Sequence, residues 1–188
     1  MQWNLPGSAL AVSDQEMGLV EERLRAMFLA GGIVLSQVSA ITGLEPYTIQ
    51  NWVKRGFLTS PRQKRYSLRQ LCRILNINML KDALAMEQIC GLMSYINGEM
   101  DDESDDIIDD TDLYFMFLQL ATHHREMNDP AGREQYLQQI LADYQEPVPG
   151  ARERVLKVLR IMLTAWAAAQ LRQNAEKMVQ ELKETEKE

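Results

Sequence analysis

Apolar residues recur at helical spacing along most of the chain, and Gly, Pro and Asx residues mark the breaks between runs. Met1 to Val12 reads as a poorly ordered or docking tail. Ser13-Asp14-Gln15-Glu16 is a capping box, so a helix is expected from Ser13 to about Ala30, with Val20, Leu24, Met27 and Phe28 on one stripe. Gly31-Gly32 ends it. Ser36 is the natural N-cap of a short helix whose apolar face is Val38 and Ile41, and Gly43 supplies the positive φ that stops it. Pro46 sits at the start of the next helix, where its missing N–H is harmless. Ile49, Trp52 and Val53 pack this helix back on the first, and Gly56 closes it.

Further along, Ser67 caps a helix from Leu68 to about Ala83, and another runs from Met86 to Ile96 before Asn97-Gly98. Leu113 to Met127 forms a helix, and Asp129-Pro130 opens one that reaches about Tyr144. Glu-Pro-Val-Pro-Gly at 146–150 is a firm break. A long helix follows from Ala151 to about Glu186, roughly 55 Å at about 1.5 Å per residue. Its first half is apolar on nearly every side, as for a dimer interface or for burial among neighbouring helices, and no heptad is read through three repeats. The fold class is all-α.

The two helices flanking Gly43 form a compact pair whose second member turns Tyr47, Thr48, Gln50, Asn51, Lys54 and Arg55 away from the packing side. Helix pairs of this kind place the second helix in the DNA major groove. Gln50 and Asn51 carry amides suited to adenine edges. Lys54, Arg55, Arg62, Lys64 and Arg65 are the expected phosphate contacts. Tyr66 either bonds a phosphate while anchoring this region or packs on Trp52.

ITGLEPYTIQNWVKRGFL followed by KRYSLRQL resembles the MerR-type winged helix-turn-helix of bacterial regulators over roughly Leu35 to Met93. The matching positions are Thr42, Gly43, Thr48, Ile49, Trp52, Gly56, Leu58, Tyr66 and Ser67. The wing, Thr59 to Arg65, is short and has no glycine at its tip. Gln50 and Asn51 stand where that family often has arginine and tyrosine, and its usual dimerisation helix does not follow directly. KRYSLRQL, INMLKDAL and ICGLMSYINGEMDDESDDIIDD also resemble an uncharacterised bacterial family that carries this domain. The resemblance implies a MerR-like domain with a short basic wing, followed by a C-terminal helical bundle or long helix. The expected divisions are an N-terminal tail and bracing helix (1–32), the helix-turn-helix domain (33–98), an acidic linker (99–112) and a C-terminal region for oligomerisation or an effector (113–188).

Composition bounds this picture. The chain of 188 residues, 46% hydrophobic and 25% charged, is globular in composition, and its net charge of -7 argues at first against nucleic acid. The distribution reverses that. Ser36 to Lys81 holds eight basic residues against Glu45 alone, a charge of +7, which leaves -14 on the remainder. A basic module on an acidic body is the electrostatic footprint of a DNA-binding protein.

Glu99 to Asp112 carries nine acidic residues and no basic one. It reads as a solvated linker or helix entrance; the alternatives are a calcium loop, which lacks the EF-hand order and glycine, or an autoinhibitory flap over the basic face. Cys72 and Cys90 have no metal-ligand spacing, and the adjacent His123 and His124 diverge on a helix, so no metal or cofactor is expected. No signal peptide or spanning segment is apparent, and a cytoplasmic protein is expected. No nucleophile elbow, P-loop, zinc signature or dinucleotide fingerprint suggests an enzyme. The function expected is sequence-specific binding of double-stranded DNA by a dimeric transcription regulator, with any small-molecule effector left open. The alternative is an architectural, excisionase-like DNA binder or a protein-interaction adaptor on the same scaffold.

Overall fold

The computed structural model describes residues 2–98, 104–126 and 130–185. The described chain is mostly helical, with eight α-helices and two small two-stranded sheets. Strand β1 (Gln2–Asn4) pairs antiparallel with β2 (Ala11–Ser13), Trp3 opposite Val12. A 3-10 turn over Asp14–Leu19 then leads into α1 (Val20–Met27). Glu16 closes the start of this segment as the sequence predicts, its carboxylate accepting from the Ser13 amide at 3.0 Å and from the Ser13 hydroxyl at 2.8 Å. The expected single helix is therefore divided, its first turn wound tighter.

The short strand β3 (Ile33–Val34) precedes α2 (Leu35–Thr42), and the N-cap is Val34 rather than Ser36. Gln37 lies three residues on, and its side-chain oxygen accepts from the Val34 amide at 3.0 Å. Gly43, at φ 71°, ends α2, and α3 (Pro46–Lys54) begins at Pro46. Thr42 ties the corner together, donating to the Val38 carbonyl at 2.8 Å and accepting from the Leu44 amide at 3.2 Å. Val38, Ile41, Ile49 and Trp52 are buried along this pair. Removing a side chain such as Ile49 from water contributes about 1.5–3 kcal/mol. Strand β4 (Arg65–Tyr66) returns antiparallel to β3, Tyr66 opposite Ile33, so the segment after α3 closes back on the residues before α2.

Helix α4 (Leu68–Leu80) is the axis of the molecule. Ser67 caps it reciprocally with Gln70, the Gln70 amide donating to the Ser67 hydroxyl at 3.2 Å and the Ser67 amide to Gln70 Oε1 at 2.9 Å. Every residue from Leu71 to Ile77 is buried, which accounts for the density of apolar positions in this stretch. Helix α2 packs on one side of α4, while α6 (Asp110–Glu126) and α8 (Ala151–Thr185) pack elsewhere along it. Helices α5 (Met86–Asn97) and α7 (Pro130–Ile140) pack against α8 and α6. One hydrophobic core runs from Leu5 through α4 to Phe117 and Trp166, whose rings meet edge to face at 6.1 Å.

The N-terminal segment docks rather than hanging free. Asn78 donates to the carbonyls of Gly7 at 2.8 Å and Thr42 at 3.0 Å, clamping the hairpin loop and the α2–α3 corner onto α4. The buried Tyr114 hydroxyl donates to the Pro6 carbonyl at 3.0 Å. Gly7 sits at φ 72°, and a Cβ there would lie 2.1 Å from the Leu75 carbonyl oxygen, so only glycine permits this approach.

Of the two readings of the acidic run at 99–112, the described part is the helix entrance, leading into α6 at Asp110, and not a solvated linker. Residues 99–103 lie outside the described residues. Ile107, Ile108 and Asp110 are buried, and Tyr144 donates a hydrogen bond to the Ile107 carbonyl. The apolar pair inside the charge run inserts into the core and carries its carboxylates with it.

Helix α8 presents two apolar rows. One, including Val155, Val158, Met162 and Trp166, is buried. The other faces outward: Ile161 (44% exposed), Leu171 (71%), Met178 (65%) and Leu182 (67%), with exposed Thr164, Ala168 and Ala175 between them. Their spacing alternates three and four from 161 to 182, a heptad seam that the inner row hides in the sequence.

Candidate nucleic-acid interface

The outer face of α3 carries the residues that the sequence singles out. Tyr47 is 76% exposed, Gln50 and Lys54 are exposed, and Thr48 and Asn51 are half-buried at the edge of the packing face. Spacings of three and four place Tyr47, Gln50, Asn51 and Lys54 along one stripe. Arg55, just past the helix, lies over the Phe57 ring at 4.7 Å, which holds its guanidinium while leaving the residue exposed.

The loop after α3 ends in a tight reversal. The Arg65 amide donates to the Arg62 carbonyl at 2.9 Å, and the two central residues, Gln63 and Lys64, both have positive φ, 50° and 62°. This is the twist that suits a two-residue hairpin. It projects Arg62, Lys64 and Arg65 into solvent beside α3's neighbouring loop. Arg65 is also anchored, donating through Nη1 to the Gly32 carbonyl at 2.9 Å.

Tyr66 is the correction. It is 3% exposed and belongs to the core, and burial raises the pKa of its hydroxyl. Paired with Ile33 across the small sheet, it braces the reversal and does not reach outward to a phosphate.

Charge pairing separates the basic residues from 54 to 73 into two groups. Among the described residues, Lys54, Arg55, Arg62, Lys64 and Arg65 make no ion pair. Arg69 and Arg73 on α4 are engaged. Arg69 pairs with Asp106, and with Asp109 at 3.4 Å and Asp110 at 3.7 Å; Arg73 meets Asp110 at 3.3 Å. Burial pushes the carboxyl pKa values of Asp106 and Asp110 up; Arg69 opposes that rise at Asp106, and Arg73 and Arg69 oppose it at Asp110. The acidic run thus neutralises α4 and leaves the basic residues of α3 and the reversal unpaired. The sequence displays both partners but not their pairing, which spans 37 positions.

A cleft of about 820 Å³ opens between the reversal, the start of α4 and the end of α5. No group of three or more His, Cys, Asp or Glu residues among those described is arranged to hold a metal ion. Cys72 and Cys90 are free thiols, both with pKa values raised by burial, and the His123 ring stacks on Tyr136 at 3.6 Å. No helix among the described residues is long and apolar enough to cross a membrane.

These features define a mostly helical protein with a cluster of five basic residues, free of ion pairs, on one short helix and the hairpin turn that follows. Residues 5–117 match the family described as "Domain of unknown function (DUF1836)", and the chain belongs to that family. The matched region runs from the docked hairpin into α6 and so includes the acidic segment. The chain is also 30% identical over 114 residues to the "Uncharacterized protein YkrK" of Bacillus subtilis (strain 168), a match covering 57% of this chain and 48% of that protein. The chain therefore spans about half the length of this relative. No solved structure matches it.

Proposed function

We propose that the protein is a sequence-specific DNA-binding regulator that uses a MerR-like winged helix-turn-helix. The observation that carries this reading is the clustering of five cations without ion pairs around the exposed polar face of α3, while the acidic run is spent on Arg69 and Arg73 of α4. Tyr47, Thr48, Gln50 and Asn51 face base edges and adjacent phosphates, while Lys54, Arg55, Arg62, Lys64 and Arg65 contact the backbone. Ile49, Trp52 and Tyr66 are scaffold. The β3–β4 pair and the reversal at Gln63-Lys64 serve as the wing.

One such module grips only a short half-site, so the active species is a dimer on a pseudo-palindrome. The outward heptad seam of α8 supports that state, since a row of Ile161, Leu171, Met178 and Leu182 in water is offset when it packs on an identical row. The test is selection of bound duplexes from a random library at about 150 mM salt, where non-specific phosphate binding is weakened. An enriched palindromic motif, lost in Gln50→Ala/Lys54→Ala/Lys64→Ala, is expected. No enrichment, with parent and variant alike, sinks the reading in favour of a protein-interaction adaptor; sequence-indifferent, salt-sensitive binding favours an architectural role.

A further inference from the structure

The cleft beside the reversal carries polar groups that the fold itself does not use. Asn97, at the end of α5, is 4% exposed, and neither its amide nitrogen nor its oxygen has a hydrogen-bond partner among the described residues. Arg73 Nε and Asp106 Oδ1, on the same wall, are likewise buried without a partner. An unsatisfied buried polar group is costly, so a side chain with two such atoms on a cleft of this volume calls for a complementary donor and acceptor. The rim supplies charge. Arg69 and Arg73 are neutralised by carboxylates, whereas Arg62 and Arg65 are not, which leaves two guanidiniums for one dianion. Half-buried Phe28 supplies an apolar wall, backed by the buried Leu58 and Met93.

We propose that this cleft binds a small phosphorylated metabolite bearing a planar hydrogen-bonding ring, of the nucleoside monophosphate class. Its phosphate, close to a dianion at neutral pH, lies on Arg62 and Arg65. Its ring rests on the apolar wall and presents a donor–acceptor edge to the Asn97 carboxamide. That pairing favours adenine, whose edge matches an Asn amide in bidentate fashion. Because Arg62 and Arg65 are also assigned to the DNA backbone, ligand and DNA compete for the same cations. This coupling rests on the DNA-binding reading; the ligand site does not.

Isothermal titration of the full chain without DNA, at about 150 mM salt, separates the two. Adenosine 5′-monophosphate is expected to bind with a Kd of about 10–100 µM, with ribose 5-phosphate and inorganic phosphate at least about tenfold weaker. Asn97→Leu removes the unpartnered amide, and should keep the melting temperature while losing the preference for the nucleotide. Ser94→Glu, an exposed change on the rim one helical turn before Asn97, should weaken binding about tenfold by adding a like charge to a cleft that holds a dianion. No heat with any of the four common nucleoside monophosphates at millimolar concentration overturns the proposal. So does inorganic phosphate binding as tightly as the nucleotide (an adventitious ion only), or a Ser94→Glu variant that binds like the parent. Saturating nucleotide should then lower affinity for the selected duplex about fivefold or more. Binding without that effect leaves the site standing and overturns the coupling alone.

Discussion

Gly7 is where the docking of the N-terminal hairpin can be tested most sharply. Alanine there meets two penalties. A non-glycine residue at φ 72° costs about 1–2 kcal/mol from its own backbone conformation. The added Cβ would also sit 2.1 Å from the Leu75 oxygen and 2.9 Å from its carbonyl carbon, main-chain atoms of a buried helix that no rotamer change can move aside. The loop must lift, and lifting breaks the bonds from Asn78 to Gly7 and from Tyr114 to Pro6. Two hydrogen bonds at about 1 kcal/mol each, with a further 1–3 kcal/mol for the stranded Tyr114 hydroxyl, bring Gly7→Ala to about 4–7 kcal/mol. Gly31→Ala is the control, because Gly31 has a similar φ of 92° and an added methyl there would meet nothing within 4 Å, so only the backbone cost of about 1–2 kcal/mol applies. Urea denaturation followed by tryptophan fluorescence measures both variants. Hydrogen exchange should show early loss of protection at the Leu5 and Ala9 amides, which donate to Leu10 and Ile41. Equal destabilisation by the two alanines would refute the reasoning, since the close contact with α4 would then carry no energy.

Three further outcomes are expected. Asp110→Ala leaves Arg73, 8% exposed, without its carboxylate and should cost about 3–5 kcal/mol in denaturant melts, whereas Arg73→Met/Asp110→Leu should recover most of that loss; a double variant no better than the single one counts against the pairing. Glu16 is held from an ordinary 4.5 down to about 2, first by the Ser13 amide and then by Arg23 and the Ser13 hydroxyl. Because its folded-state pKa is depressed, its stabilisation is present above about 4.5 and lost as pH falls toward 2, so Glu16→Gln should flatten the melting-temperature profile across that window. Leu171→Glu/Met178→Glu should leave the melting temperature of the fold nearly unchanged and convert a dimer to a monomer in sedimentation; a parent that already sediments as a monomer removes the case for the α8 seam.

The elements most legible in the sequence are those with local causes. Gly43 and Pro46 fix the corner between α2 and α3, Ser67 and Gln70 start α4, and Pro147 and Pro149 separate α7 from α8; each works within a few residues of itself. What stays hidden depends on distant partners. Strands β1 and β2 are three residues each, too short to show alternation, and the loop between them docks on α4 through the close approach of Gly7 to Leu75. The charge density at 105–112 suggests a solvated run, but Ile107 and Ile108 bury it against arginines 37 positions earlier. Tyr66 shows the same limit. Polar tip and apolar ring are both visible in the letter, and only the pairing of β4 with Ile33 decides which of them matters. The face of α3 is readable because amphipathicity alone sorts Ile49 and Trp52 from Tyr47 and Gln50.

At the reversal, Gln63 and Lys64 are two successive left-handed residues without a glycine. They carry a conformational cost of about 1–2 kcal/mol each, and Asn-Gly would close the same turn with less strain. A long amide and an ammonium therefore stand at the tip against local preference, at a place where their side chains touch none of the core. Such strain is tolerable when the rest of the structure over-determines it, here through the Arg65–Gly32 and Tyr66–Ile33 contacts on either side of the sheet. The tip is thus a rigid presenter of two particular side chains, and exchanging it for the easier turn would make a steadier protein with a blunter contact surface.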